Sequence, residues 1–248
     1  MKTKLIALLI AITTIIGSVY AQKMENVYKN GVIVHSEYIT DIDSIKFVEN
    51  TGSYNGHEWV DLGLPSGLKW ATCNVGATTP EEYGDYFAWG ETQPKDYYDW
   101  STYKYYNGSS NTMTKYCTSS SYGTVDNKTT LELTDDAARV NWGGAWRMPT
   151  LEEQKELLNN CTCTWTTQNG VNGYKVTSKK NDNSIFLPAA GGRSGDNLIY
   201  AGSNGYYCSS SLYASNSSEA YLVGFYSDVV GWSYILRCAG LSVRAVCE

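Results

Sequence analysis

The sequence predicts a helix-poor fold of many short strands and turns, and two observations carry that prediction. The chain has 21 Tyr, 8 Trp and 23 Gly against 4 Phe, and only 18% of its residues are charged. Tyrosine and tryptophan join apolar area to a polar handle, which suits half-exposed strand faces better than a dry core. In addition, the apolar runs are short and separated by Gly, Asn, Ser and Pro turn signals, and few stretches carry the start signals of a helix.

At the N-terminus, Met1-Lys2-Thr3-Lys4 precede an apolar run from Leu5 to Ile16, followed by Gly17-Ser18-Val19-Tyr20-Ala21-Gln22. A basic start, a short apolar core and small residues three before and one before a break form a secretory signal peptide over residues 1–21. The run is short for a bilayer core of about 30 Å, and no second run of membrane length follows. No cysteine stands at the cleavage point to take a lipid. The expectation is an exported product with no transmembrane segment after cleavage. It would be extracellular or at the cell surface, with the periplasm as the other compartment. About 225 residues remain, enough for one or two domains.

Residues 22–49 read as a small β-hairpin element. Val27-Tyr28-Lys29, Asn30-Gly31 and Val32-Ile33-Val34 form a strong hairpin signal, because Asn-Gly readily takes the positive φ angles of a tight turn. Ile42, Ile45, Phe47 and Val48 make a second apolar pattern. Residues 50–56 are polar and Gly-containing and read as a linker, leaving 57–248 as the main domain. Trp59 to Thr72 alternate strand-like runs with turn residues. Thr79, Pro80 and Glu82 predict a short capped helix ending at Gly84. Residues 91–130, rich in Tyr, Ser, Thr, Asn and Gly, read as long surface loops. Thr134 to Arg139 have a cap and an acidic first turn, and Thr150 with Glu153 forms the capping box of a further helix through Leu158. Ile185 to Pro188 read as a short buried strand. Strands follow near Ala220–Tyr226, Val229–Leu236 and Ser242–Val246, the last two joined around Ala239-Gly240.

The formal net charge of -6 argues against a nucleic-acid partner, whose phosphates demand a basic surface. Seven cysteines, at 73, 117, 161, 163, 208, 238 and 247, make disulfides possible in an exported chain, and the odd count leaves at least one thiol unpaired. Cys161-Thr162-Cys163 lacks the two-residue spacer of a zinc site and no histidine follows at ligand spacing, so no metal is expected. His35 and His57 are the only histidines, and neither has a catalytic partner nearby in sequence; His57-Glu58 reads as solvated surface. Asp135 and Asp136 fit a helix start, where the macrodipole favours acids. Trp142, Trp146 and Arg147 read as core packing beside a helix. No nucleophile–base–orienter set can be assembled, so neither enzymatic activity nor a cofactor is expected.

The order of motifs resembles the Fibrobacter major paralogous domain family. Leu64-Pro65-Ser66-Gly67-Leu68-Lys69-Trp70-Ala71-Thr72-Cys73-Asn74-Val75-Gly76-Ala77 is similar to the family's opening. Tyr83 to Glu91, Trp146-Arg147-Met148-Pro149-Thr150, Phe186 to Gly191 and Ser242 to Val246 continue it, so the resemblance covers residues 57–248. It implies an α+β domain of the C-type-lectin-like fold, shared with formylglycine-generating enzymes. That fold would place two short helices on small twisted antiparallel sheets and bring the domain's two ends together. The enzymes use two nearby cysteines in a motif dense in Arg and Tyr; Cys238 and Cys247 lie farther apart, and only Arg237 offers a cation. The calcium-binding triplet of true C-type lectins is not matched, since Gln93-Pro94-Lys95 places lysine where a carboxylate would stand.

Between Gly195 and Ile235, tyrosines alternate with Ser, Gly and Asn, the composition of antibody contact loops. Variable proteins of diversity-generating retroelements display diversified residues in the corresponding stretch of the same fold. On that resemblance Val223 and Phe225 would face the core. The surface would hold Tyr200, Tyr213, Asn216, Leu222, Gly224, Tyr226, Asp228, Val229, Gly231, Tyr234 and Ile235. Cys208 and Cys238 would be free thiols or a bridge across this face. The resulting expectation is a secreted, non-catalytic binding or adhesion module for a protein or glycan. A structural cell-envelope protein is the alternative, and a formylglycine-generating-type enzyme a more distant one.

Overall fold

A computed structural model describes residues 23–29, 32–39, 51–108 and 111–248, the first two stretches as backbone only. The stretch 1–21 read as a signal peptide, the expected Asn30-Gly31 turn and the apolar pattern at 42–48 lie outside the described residues. The chain divides into two compact units, residues 1–48 and 49–248. In the first, β1 (Lys23–Lys29) pairs antiparallel with β2 (Val32–Ile39), with an irregularity between Val27 and Tyr28.

The second unit is mostly strand with few short helices, consistent with the α+β class. Its first sheet has the order β14-β5-β4-β3, built from β3 (Thr51–Tyr54), β4 (His57–Asp61), β5 (Lys69–Asn74) and β14 (Arg244–Cys247). Residues 51–56, expected as part of a linker, are instead a strand and its turn. Thr51 to Tyr54 pair with Val60 to His57 across the Asn55-Gly56 turn, where both residues have positive φ. All neighbours in this sheet are antiparallel, so β3 begins and β14 ends at the same end of the sheet, on its two outer strands, three strand spacings apart, or about 14 Å at 4.8 Å each.

Two more three-stranded antiparallel sheets follow. One is β6 (Cys161–Gln168), β7 (Val171–Ser178) and β8 (Ser184–Pro188), with the first pair turned by Asn169-Gly170. The other is β11 (Asn204–Leu212), β12 (Glu219–Tyr226) and β13 (Val229–Leu236). A short ribbon of β9 (Gly192–Ser194) and β10 (Asn197–Ile199) precedes the latter.

Helix α1 (Ala137–Trp142) starts where Asp136 accepts a 2.9 Å hydrogen bond from the Arg139 amide, and ends at Gly143 with φ 68°. Helix α2 (Leu151–Asn160) has the full capping box, with Thr150 and Glu153 each accepting from the other's amide. Thr150→Ala is expected to lower stability by about 1 kcal/mol, read from urea unfolding of the purified chain. Residues 79–84 differ from expectation: they form a turn, not a helix. The Glu82 carboxylate accepts from the Thr78 and Thr79 amides as at a helix start, but Gly84 at φ 71° turns the chain and Asp85 donates to the Val75 carbonyl, so no further turn forms.

The loops at 91–130 are likewise not confined to the surface. Tyr98, Tyr103, Tyr105, Met113, Tyr116 and Cys117 are buried in the larger of two cores, with Trp89, Trp142, Trp146 and Leu222. Tyrosine is tolerated there because backbone carbonyls take its hydroxyl: Tyr98 donates to Tyr86, Tyr103 to Trp89, and Tyr207 to Pro188. The second core joins Leu62, Trp70, Leu157, Tyr174, Ile185, Leu187 and Phe225.

His57 is not solvated surface. Its ring stacks on Trp142 at 3.9 Å with 11° between planes and meets Trp146 edge-on. Burial lowers its pKa below the usual histidine value, so the fold favours the neutral ring. The His57 contribution is present above the unfolded pKa, about 6.5, and is lost as pH falls through and below it. Wild type is therefore expected to lose more stability between pH 7.5 and 5 than His57→Gln does. Equal losses in urea unfolding at the two pH values would contradict this.

Candidate functional site

The strand β12 lies between β11 and β13, and this placement decides which of its side chains reach solvent. Helix α2 packs against this sheet, and the larger core lies on the side of Leu222. Val223 and Phe225 are buried as expected, but Leu222 is equally buried at 2% exposure. A central strand covered on both sides buries both parities, so Leu222 is removed from the display surface. Gly224 offers no side chain, and a Cβ there would touch Leu222 and Tyr206. Ile235 is half-buried against the core.

The edge strand β13 is open. Val229, Trp232, Tyr234 and Leu236 are 46%, 53%, 45% and 43% exposed, and the eight residues contain no charge and no proline. Gly231 has open space around it. The remaining predicted positions fall at two ends of the sheet. Asn204 lies opposite Tyr226 and Tyr226 opposite Val229, and the Asn204 amide bonds back to the Tyr200 carbonyl. Tyr200, Tyr226, Asp228 and Val229 thus share one end. Tyr213, Asn216, Tyr234 and Ile235 share the other. Asn216 is occupied with turn formation: its side chain accepts from Ser218 and donates to Glu219.

Between the ends runs an aromatic row. Tyr213 stacks on Tyr234 at 4.2 Å with 6° between planes and meets Tyr221 edge-on at 5.3 Å; Tyr221 meets Trp232 edge-on at 6.0 Å. Lys155 of α2 lies over the Trp232 ring at 5.2 Å and is held by Glu152. Trp232, Tyr221 and Lys155 were absent from the predicted set. Strand alternation places Trp232 and Tyr234 on one face, and that signal would have found the tryptophan; Lys155 needs the tertiary packing of α2.

No protein-family model matches this chain. Nor does any curated protein or solved structure.

Of the acidic pair at 135–136, Asp136 stands at the helix start as expected, whereas Asp135 lies just before it and is held by side chains. Asp136 is the N-cap and also accepts from the Met148 amide, while burial raises its pKa. Asp135 is bound by Lys115 at 2.5 Å, Tyr116 at 2.7 Å and Lys104 at 3.1 Å. Burial opposes its charge, yet these hydrogen bonds hold its carboxyl well below the usual range. That network ties loop residues to the segment that leads into α1. Arg237 does not serve Cys238. Its guanidinium bonds the carbonyls of Lys115, Tyr116 and Ser217 and lies over the Trp89 ring.

All seven cysteines are free, so no bridge joins Cys208 to Cys238. Burial pushes the Cys161, Cys208 and Cys238 thiols up to about 12 and raises Cys247. A protonated, buried thiol is a poor nucleophile. Among the described residues no group of three His, Cys, Asp or Glu side chains could hold a metal ion, and no helix is long and apolar enough to cross a membrane.

Proposed function

We propose that the exported chain is a non-catalytic binding or adhesion module, and that its ligand, a protein or glycan, is taken by the aromatic row and open edge of the β11-β12-β13 sheet. The observation that carries this reading is the exposed, charge-free strand β13 with the rings of Trp232 and Tyr234 on it. Large rings fixed by stacking lose little freedom on binding, and such residues dominate contact energies. An uncharged edge is unusual in a free chain, where charges or proline normally block further pairing. A protein ligand is favoured over a glycan, because the edge offers main-chain groups to an added strand. In this reading the fold is C-type-lectin-like and the family is that of the Fibrobacter major paralogous domain, on the motif order given above. The raised thiol pKa values at Cys238 and Cys247 weigh against the formylglycine-generating alternative.

The test is a protein and glycan array probed with the mature chain, followed by Trp232→Ala and Tyr234→Ala. Each substitution is expected to weaken the array's binding partner by about 2 kcal/mol, or roughly thirtyfold, with an unchanged melting temperature. Array partners bound equally well by the double variant would sink the proposal.

A further inference from the structure

We infer that the domain carries a second binding site, apart from the aromatic row, in a cleft that takes a neutral, hydroxyl-rich saccharide. The cleft has a volume of about 480 Å³ and is lined by residues from 94–98 and 193–196, together with Asp85 and Tyr86. None of these residues is on β11, β12 or β13.

Its walls are fixed. Tyr98 and Gly195 exchange two backbone hydrogen bonds of 2.8 Å, and Arg193 and Gly240 exchange two of 2.7 and 3.0 Å. The Tyr98 hydroxyl donates to the Tyr86 carbonyl at 2.5 Å and accepts from the Lys95 amide, and the Tyr86 hydroxyl donates to Ala190. Gly240 is required at this point, because a Cβ there would stand 2.5 Å from the Tyr98 ring. A pocket held by its own backbone need not be ordered by the ligand, which lowers the entropy cost of binding.

The charged groups in the cleft are not matched to one another. Lys95 is already committed to Glu91 at 2.8 Å and to the Thr102 carbonyl. The Arg193 guanidinium lies over the Tyr86 ring at 5.2 Å, and among the described residues its side chain has no hydrogen-bond or ion-pair partner. Asp85 and Asp96 likewise have carboxylates with no such partner, and Asp196 accepts only from its neighbour Asn197. The cleft thus presents one donor-only fork and three acceptor-only carboxylates, separated by open space.

That combination selects the ligand's chemistry. An anionic ligand would meet three carboxylates against one guanidinium, and a cationic one could pair with the carboxylates but would leave the Arg193 fork without an acceptor. A neutral hydroxyl both donates and accepts, so adjacent hydroxyls can bridge Arg193 to an aspartate without bringing a charge into the cleft. Tyr97, 48% exposed and beside Gly195, supplies an apolar face for the C–H side of a sugar ring.

The experiment is affinity electrophoresis of the mature chain in native gels holding laminarin, mannan, dextran or galactomannan. Polygalacturonate serves as the anionic comparison, and each mobility is referred to a gel without polysaccharide. At least one neutral polysaccharide is expected to retard the wild type. Arg193→Met, which keeps the stem over Tyr86, and Asp196→Asn, at an exposed position, are each expected to weaken the retardation about tenfold. The Trp232→Ala, Tyr234→Ala double variant is expected to be retarded like wild type, so this inference and the proposed function can fail separately. Three results would overturn the inference: no retardation by any neutral polysaccharide, retardation by polygalacturonate alone, or full retardation of both cleft variants.

Discussion

Arg237→Met is expected to lower the unfolding free energy by about 3–5 kcal/mol, the range seen when one member of a buried charged network is removed. Arg237 is 1% exposed, and among the described residues it has no carboxylate partner. Its charge is met by the carbonyls of Lys115, Tyr116 and Ser217, by the Tyr103 hydroxyl at 2.8 Å, and by the Trp89 ring at 4.7 Å. Methionine fills the volume but leaves those acceptors without a donor, and each unmet buried group costs about 1–3 kcal/mol. Arg237→Lys keeps the charge without the planar fork and is expected to fall between the two. Urea unfolding followed by tryptophan fluorescence checks the series. A methionine variant within 1 kcal/mol of wild type would show that the carbonyls find water instead.

The second large effect lies beneath the β11-β12-β13 sheet. The Phe225 ring packs against Tyr174 at 4.9 Å, Tyr207 at 5.8 Å and Trp165 at 6.4 Å. It also covers Gly205 on the neighbouring strand, where a Cβ would fall 2.1 Å from the ring. Phe225→Ala is expected to cost about 3–5 kcal/mol through lost burial and the cavity left behind. Gly205→Ala alone is expected to destabilise by overpacking, at about 1–3 kcal/mol. In the Phe225→Ala background the same alanine has room. Its cost there should vanish or change sign, a coupling that a double-mutant cycle reads directly.

Much of the strand and helix order was legible from local signals. The capping box of α2, the Ile185–Pro188 strand and the two strands from 220 to 236 follow from caps, turn residues and alternation. The Asn55-Gly56 and Asn169-Gly170 turns carry the same hairpin signal as Asn30-Gly31, but their flanking strands are polar. Thr51-Gly52-Ser53-Tyr54 and the threonines of β6 take extended form because their neighbours complete the ladder, which no local window contains. The burial of Tyr98, Tyr103 and Tyr116 was hidden for a related reason: a tyrosine reads as half-exposed until a distant carbonyl is known to receive its hydroxyl. At the candidate site, alternation alone separated Val223 and Phe225 from their neighbours but assumed one covered face. Leu222 was misplaced because β12 is covered on both. Arg193 carried no sequence signal, since its role depends on Tyr86, more than a hundred residues earlier.

The four-stranded sheet that holds both ends of the domain has a mechanical consequence. Force applied between Thr51 and Glu248 enters at one end of that sheet, through the outer strand β3 on one side and the outer strand β14 on the other. Such a load peels the outer strands away a hydrogen bond at a time instead of shearing whole ladders at once. The first rupture would free β3, which pairs only with β4, and the aromatic row on β12 and β13 would stay outside the loaded path. A pull along the chain would thus unfasten the domain's ends before it disturbed the surface proposed to hold the ligand.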